Sequence, residues 1–278
     1  MIAASPEAIA AVALDLDGSL AGADHRVSSR ALRALTALEA RGVSPIIVTG
    51  RMPAAARTPS VQAGLSAPVI SCNGAVIEDP ATGERLWEQH LPVEVVRDVL
   101  EVAERGQVTA TLWSPARMYA SRRDASVALL EELNGQEVTV VPLETVATEP
   151  VVKAMIAGSS GRLDELADEI TGTIPLMMRS MDNFFETSPP GVSKAGALRH
   201  VLGHLGVDPG ACLGVGDGDN DLEWLTMIGV AVAPAGARPS VKAVAAEVIG
   251  DHADDGVAAF LESFFDLAAG DRWDQDTG

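Results

Sequence analysis

The stretch Val12-Ala13-Leu14-Asp15-Leu16-Asp17-Gly18-Ser19-Leu20 decides the fold: an apolar run ends in two carboxylates two residues apart. Short apolar runs bounded by acidic residues and glycine read as buried strands of a parallel sheet. Alternation along a strand sets Asp15 and Asp17 on one side, at the end where open α/β sheets bind ligands. Two like charges that close need a cation, a shared proton or a strongly polar ligand. A plain strand end running into a solvated Asp-Gly turn would use the same residues. The weight therefore rests on what accompanies the pair.

A chain of 278 residues with a hydrophobic fraction of 47% is long enough for a large core divided into two domains. No apolar run approaches the roughly 20 residues of a membrane span, and the N-terminus lacks the basic start of a signal peptide. A net charge of −19 opposes nucleic acid and anionic membranes, so neither is expected as a partner. A phosphate-bearing ligand would need local help from a metal or placed cations. Cys72 and Cys212 stand in apolar contexts without metal-ligand spacing and read as reduced core residues, which fits a cytoplasmic protein. The polar end, Gly270 to Gly278, reads as frayed. Oligomeric state is left open.

Strand and helix patterns alternate from the start. Ser28 reads as the N-cap of a helix through Ala40 with Leu32, Leu35 and Leu38 on one face. Gly42 ends that helix, Val43 to Val48 and Val69 to Cys72 read as strands, and a hairpin turns at Asp79 to Gly83. Beyond Trp87 the texture changes to helices at 93–104, 124–133 and 161–170, interleaved with strands at 108–113, 117–121, 151–157, 176–180 and 183–187. The first pattern then resumes, with helices from Lys194, Asn220 and Pro239 and strands Cys212 to Val215 and Val230 to Val232. The expected fold is α/β: a Rossmann-like parallel-sheet core from residues 1–87 and 187–278, interrupted by an inserted α+β module at 88–186.

Three further motifs fall at strand ends of the inferred core. Val48-Thr49-Gly50-Arg51 runs a strand into a hydroxyl and a glycine, a compact site for a phosphate oxygen. Ser193-Lys194 places a cation at a helix start, where the macrodipole disfavours it and a counter-anion would repay it. Gly214-Val215-Gly216-Asp217-Gly218-Asp219-Asn220-Asp221 crowds carboxylates after a strand, the hard-oxygen set that magnesium requires. The glutamate that completes an EF-hand calcium loop is absent from its place downstream.

In this order, Asp15-Leu16-Asp17-Gly18-Ser19-Leu20, Thr49-Gly50-Arg51, Ser193-Lys194 and Gly216-Asp217-Gly218-Asp219-Asn220-Asp221, the chain resembles the haloacid dehalogenase (HAD) superfamily of phosphohydrolases. Ser71-Cys72-Asn73-Gly74-Ala75, Gly191-Val192-Ser193-Lys194, Asp254-Asp255-Gly256-Val257 and the long insert make it similar to the Cof-type branch, class IIB with a C2B cap. The resemblance implies a Mg2+-dependent phosphomonoesterase acting on a small soluble phosphate ester, such as a sugar phosphate, through an aspartyl-phosphate. It makes Asp15 the nucleophile and Asp17 the general acid/base. Thr49 and Gly50 hold the transferring phosphoryl group, and Lys194 neutralises it. Asp217 is the direct Mg2+ ligand, with Asp15 and the Asp17 backbone carbonyl, and Asp221 supports through water. Asn220, Arg51 and Asn73 fall to substrate binding. In the cap the resemblance rests on length and element order only, and the inward candidates for substrate binding are Arg117 and Tyr119 in the hairpin Trp113 to Tyr119 and Asn183 in the turn Ser180 to Asn183.

Two departures stand out. Ser19 replaces the usual threonine and keeps its hydroxyl; Pro234 replaces an asparagine common in relatives. A phosphotransferase of the phosphomannomutase type shares the paired aspartates, but the Thr49 and Asn73 contexts favour the Cof-type phosphatases. A non-catalytic scaffold should have lost a carboxylate or the lysine, and all are present. Dehalogenase chemistry is disfavoured because Asp17 supplies the acid that an ester leaving group needs. Which ester is cleaved is set by the cap and is not legible in one sequence.

Overall fold

The computed structural model describes residue 2, residues 4–22 and residues 24–267, so the stretch Gly270 to Gly278 lies outside the described residues. The chain begins β1 (Ala11–Leu14), α1 (Ser29–Ala40), β2 (Ser44–Ile47), α2 (Pro53–Ala63), β3 (Val69–Ser71), β4 (Val76–Glu78) and β5 (Arg85–Glu88). It continues with α3 (Val93–Gly106), β6 (Thr109–Trp113), β7 (Met118–Ala120), α4 (Ala125–Asn134), β8 (Val138–Val140), β9 (Lys153–Ala157), α5 (Ser160–Thr173), β10 (Met178–Met181) and β11 (Phe184–Thr187). It closes with α6 (Lys194–Leu205), β12 (Cys212–Val215), α7 (Leu222–Met227), β13 (Val230–Pro234), α8 (Pro239–Val244), β14 (Glu247–Ile249) and α9 (Gly256–Phe264).

Two compact units result. The first takes the chain up to Pro45, Gln62–Leu65, and the chain from Val207 on. It contains β1, β12, β13 and β14, paired in parallel in the order β14-β13-β12-β1, with the amide of Ser44 at the start of β2 donating to Ala10. Every residue of β1 is buried, as a strand covered on both faces requires. The expected α1 forms as read: Ser28 accepts from the Ala31 amide at its N-terminus, and Ala31, Ala34, Leu35 and Leu38 are buried. Arg30 on α1 grips Glu262 on α9 through three hydrogen bonds, 3.0, 3.2 and 2.6 Å long, fixing one helix on the other.

The second unit, Ile46–Val61 and Ser66–Gly206, carries a six-stranded mixed sheet in the order β10-β11-β9-β6-β7-β8 and the three-stranded sheet β3-β4-β5. Alternation splits the mixed sheet between two clusters. Leu112, Tyr119, Ala154, Ile156 and Phe185 pack with Val96, Val99 and Leu163 of α3 and α5. Trp113, Met118, Met155 and Phe184 pack with Met52, Cys72 and Val76. Parallel strands drawn from the two ends of the sequence, around an α+β segment, give the expected α/β class. Two strands were not anticipated. β8 is a short edge strand with two exposed residues, and β14 is a short edge strand with one buried residue, so neither shows the buried pattern that marks a strand. The helix expected from Asn220 instead opens as a single 3-10 turn, Asp219–Asp221, before α7.

Both cysteines are free and buried, and burial pushes each thiol up to about 12, with the Lys153 charge working against it at Cys72. The thiolate is the reactive form. At pH 8 Ellman's reagent should therefore label neither thiol of the folded protein and both after guanidinium unfolding. Stoichiometric labelling without denaturant would contradict this packing.

Candidate active site

In the first unit, β1 and β12 lie side by side in register, Leu14 opposite Val215. The residues that follow the two strands thus emerge together, and the Asp15 amide donates to Val215 at 2.9 Å. Carboxylate oxygens of Asp15, Asp217 and Asp221 all lie within 4.8 Å of one another. Asp15 is 4% and Asp221 0% exposed. Three carboxylates at that spacing repel unless a cation joins them, and hard oxygen donors suit Mg2+. The donor set fits that ion.

The three carboxylates are not equivalent. Asp221 is already occupied: Oδ2 accepts from the amides of Asp217 and Gly218, each at 3.1 Å, and Oδ1 from Trp224 Nε1 at 2.9 Å. It shapes the loop. Asp217 Oδ1 accepts from Ser19 at 3.4 Å, and its Oδ2 lies so near Gly18 that a Cβ there would sit 2.3 Å away. Gly18 also has φ +80, so both the turn and the approach require glycine. Strand β1 stops at Leu14, and the turn that follows, with Ser19 and Ala21 donating to Leu16 and Leu20 to Asp15, aims the second aspartate. The Asp17 carboxylate lies 3.5 Å from His25 Nδ1, while Asn220 is exposed on the loop after β12. Pro234 ends β13 opposite Ile249.

In the second unit, the loop after β2 is laced to the loop after β3. Thr49 donates to Ile70, Asn73 to Thr49 at 3.0 Å, and Cys72 to Arg51 at 2.9 Å. The Thr49 hydroxyl accepts from the Arg51 amide at 3.2 Å. Lys194 opens α6 behind its N-cap Ser193 and is 3% exposed. Asn73 donates through Nδ2 to Glu186 Oε1 at 2.9 Å, and Glu186 pairs with Lys153 at 2.5 Å. Burial pushes the Glu186 carboxyl upward, but the Lys153 charge and the hydrogen bonds from Lys153 and Asn73, with Lys194 beyond, hold it below the usual carboxylate range.

The cap candidates separate. Arg117 is exposed at the β6–β7 hairpin, where Ser114 Oγ accepts from its amide. Asn183 lines a cleft of about 480 Å³ with Gln107, Arg122, Asp124 and Arg162. Tyr119 is buried in the cluster with α3, its hydroxyl donating to Glu149 at 3.0 Å. Lys153, Glu186 and His25 were not anticipated. A lysine opening the apolar run Lys153 to Ala157 was the available signal for the first.

The family described as haloacid dehalogenase-like hydrolase matches residues 12–261. The chain is 26% identical over 265 residues to 5-amino-6-(5-phospho-D-ribitylamino)uracil phosphatase YitU of Bacillus subtilis, covering 92% of this chain and 97% of that one. It is 29% identical over 257 residues to the phosphoglycolate phosphatase of Methanopyrus kandleri, covering 92% and 97%. Among solved structures, a haloacid dehalogenase-like hydrolase from Bacteroides thetaiotaomicron superposes with a TM-score of 0.84 at 26% identity, over 92% of this chain and 100% of that one.

Asp221→Ala orphans two half-buried amides and a buried indole N–H, and should destabilise the protein by about 3 kcal/mol. Urea unfolding checks it; a loss under about 1 kcal/mol would show that the loop does not depend on Asp221.

Proposed function

The chain belongs to the haloacid dehalogenase-like hydrolase family and is a phosphatase, and we propose that it is a Mg2+-dependent phosphomonoesterase for a small soluble ester, such as a sugar phosphate. The observation that carries this is the Asp15, Asp217 and Asp221 cluster at the ends of two neighbouring parallel strands. Two relatives named for small phosphate metabolites support the substrate class.

The Asp15 carboxylate attacks phosphorus, the ester P–O bond breaks, and Asp17 gives its proton to the departing oxygen. Asp17, now a carboxylate, takes a proton from the water that attacks the aspartyl-phosphate. Inorganic phosphate leaves and Asp15 is regenerated. The Thr49 hydroxyl and Gly50 amide donate to phosphoryl oxygens, and buried Lys194 supplies a local cation in a chain of net charge −19. Asp15, Asp217 and the Asp17 carbonyl would hold Mg2+, with Asp221 supporting through water; when bound, the ion offsets charge on the nucleophile and the phosphoryl group. Arg51, Asn73 and Asn220 complete the binding set. Residues 88–186 form the cap that chooses the ester, with Arg117 and Asn183 offering polar groups and Tyr119 keeping its hydroxyl on Glu149.

In a phosphate-release assay, Asp15→Asn or chelation of Mg2+ should abolish turnover, and added Mg2+ should restore only the chelated enzyme. A tenth of the wild-type rate in Asp15→Asn would sink the assignment. Asp17→Asn should slow alkyl esters by roughly 100- to 10,000-fold. Formation of the aspartyl-phosphate from aryl esters, whose leaving groups need no proton, should be slowed far less. Equal losses in that step for both classes would remove Asp17 as the leaving-group acid.

A further inference from the structure

One buried pair of charges takes no part in these steps. Lys153 on β9 and Glu186 on β11 have side chains only 5% and 13% exposed, with Nζ 2.5 Å from Oε2. The Trp113 ring covers the ammonium at 4.6 Å from its centroid. A buried ion pair is costly to build unless its remaining donors and acceptors are also used. Here they are used on the loop assigned to phosphate. Lys153 Nζ donates to the Gly50 carbonyl at 3.3 Å. Glu186 Oε1 takes the Asn73 amide nitrogen at 2.9 Å.

That second bond fixes which way Asn73 faces. With Nδ2 committed to Glu186, Oδ1 is turned toward Gly50, where it is buried without a hydrogen-bond partner. A Cβ on residue 50 would come within 2.8 Å of this oxygen, so the loop can sit there only because residue 50 is glycine. The Asn73 amide meanwhile donates to the Thr49 carbonyl at 3.0 Å. Thr49 and Gly50 are thus held from one side by Asn73 and at the Gly50 carbonyl by Lys153, and Glu186 orients both partners.

We propose that Lys153 and Glu186 are positioning residues: a buried brace that holds the Thr49–Gly50 backbone in its phosphate-accepting geometry. The proposal rests on the phosphatase reading above and adds to it a dependence of the phosphate loop on residues of the segment assigned to substrate choice. The polar groups of the pair are spent on each other and on the loop. A brace therefore affects every ester alike, and inorganic phosphate with them, whereas a substrate-selecting pair would affect one ester and spare another.

The test is the double variant K153M/E186Q. It removes both charges together, so none is left buried and unpaired, and the glutamine oxygen still serves Asn73. Its Tm should stay near wild type, whereas each single variant strands one charge and should melt lower. Its kcat/KM should fall by about 10- to 100-fold for alkyl and aryl esters alike, the scale of a misplaced positioning group. Calorimetry should show inorganic phosphate bound about ten-fold more weakly, by the same misplacement. Mg2+ half-saturation should not move, because Asp15, Asp217 and Asp221 are untouched. K153R, which keeps charge and donors, should recover most of the activity. A folded double variant with wild-type kcat/KM and phosphate affinity would overturn the brace, and so would a loss confined to one ester. Wild-type protein that binds phosphate but releases none from any ester fails the phosphatase reading and leaves the brace readable by calorimetry. Wild-type protein that binds no phosphate overturns both.

Discussion

Three carboxylates within 4.8 Å of one another are the constraint on which the first unit is organised. Left in isolation they would push their loops apart, so the fold must hold them by other bonds. Parallel pairing of β1 with β12, Leu14 opposite Val215, delivers Asp15 and the loop of Asp217 and Asp221 to the same sheet end. Asp221 then spends its oxygens on two loop amides and the Trp224 indole, converting one negative charge into a hydrogen-bonded anchor. Gly18 completes the arrangement by leaving room for the Asp217 carboxylate. Asp15 and Asp217 stand beside this anchor, and the three together are hard oxygen donors of the kind phosphoryl transfer asks of a protein.

The second unit solves the opposite problem. It carries a buried cation and polar groups of the opposite kind: Lys194 at a helix start, the Thr49 hydroxyl, and the backbone of Gly50. Positive groups buried this deeply need partners of their own. Glu186 is that partner for Lys153, and it is kept ionised by the same cation and by Asn73. The cost of burying this pair is offset by what it fixes, the orientation of Asn73 and of the Gly50 carbonyl in the loop after β2.

The sequence marked Asp15, Thr49, Lys194 and Asp217 as candidates because each opens or closes an element beside a polar motif, and the structure buries Asp15, Thr49 and Lys194. The boundaries of α1 and of the strands paired around β1 were legible for the same reason, since periodicity and caps write them locally. The brace was not, because Lys153 and Glu186 lie in different strands and only tertiary pairing of β9 with β11 brings them together. His25 was hidden by a backbone turn with φ +60, which no hydrophobic pattern announces. Tyr119 was placed among the ligand-facing residues by its chemistry, whereas alternation along β7 turns it into the α3 cluster. Side-chain identity suggests a function, but the face of a strand decides what that side chain meets.

The central claim is that the Asp15 carboxylate itself takes the phosphoryl group, and trapping that bond tests it most directly. Enzyme mixed with substrate and Mg2+, quenched in acid and reduced with borohydride, should yield homoserine at position 15 in the peptide map. An untreated control should retain aspartate there. Homoserine at another carboxylate, or none during steady turnover, would contradict the account.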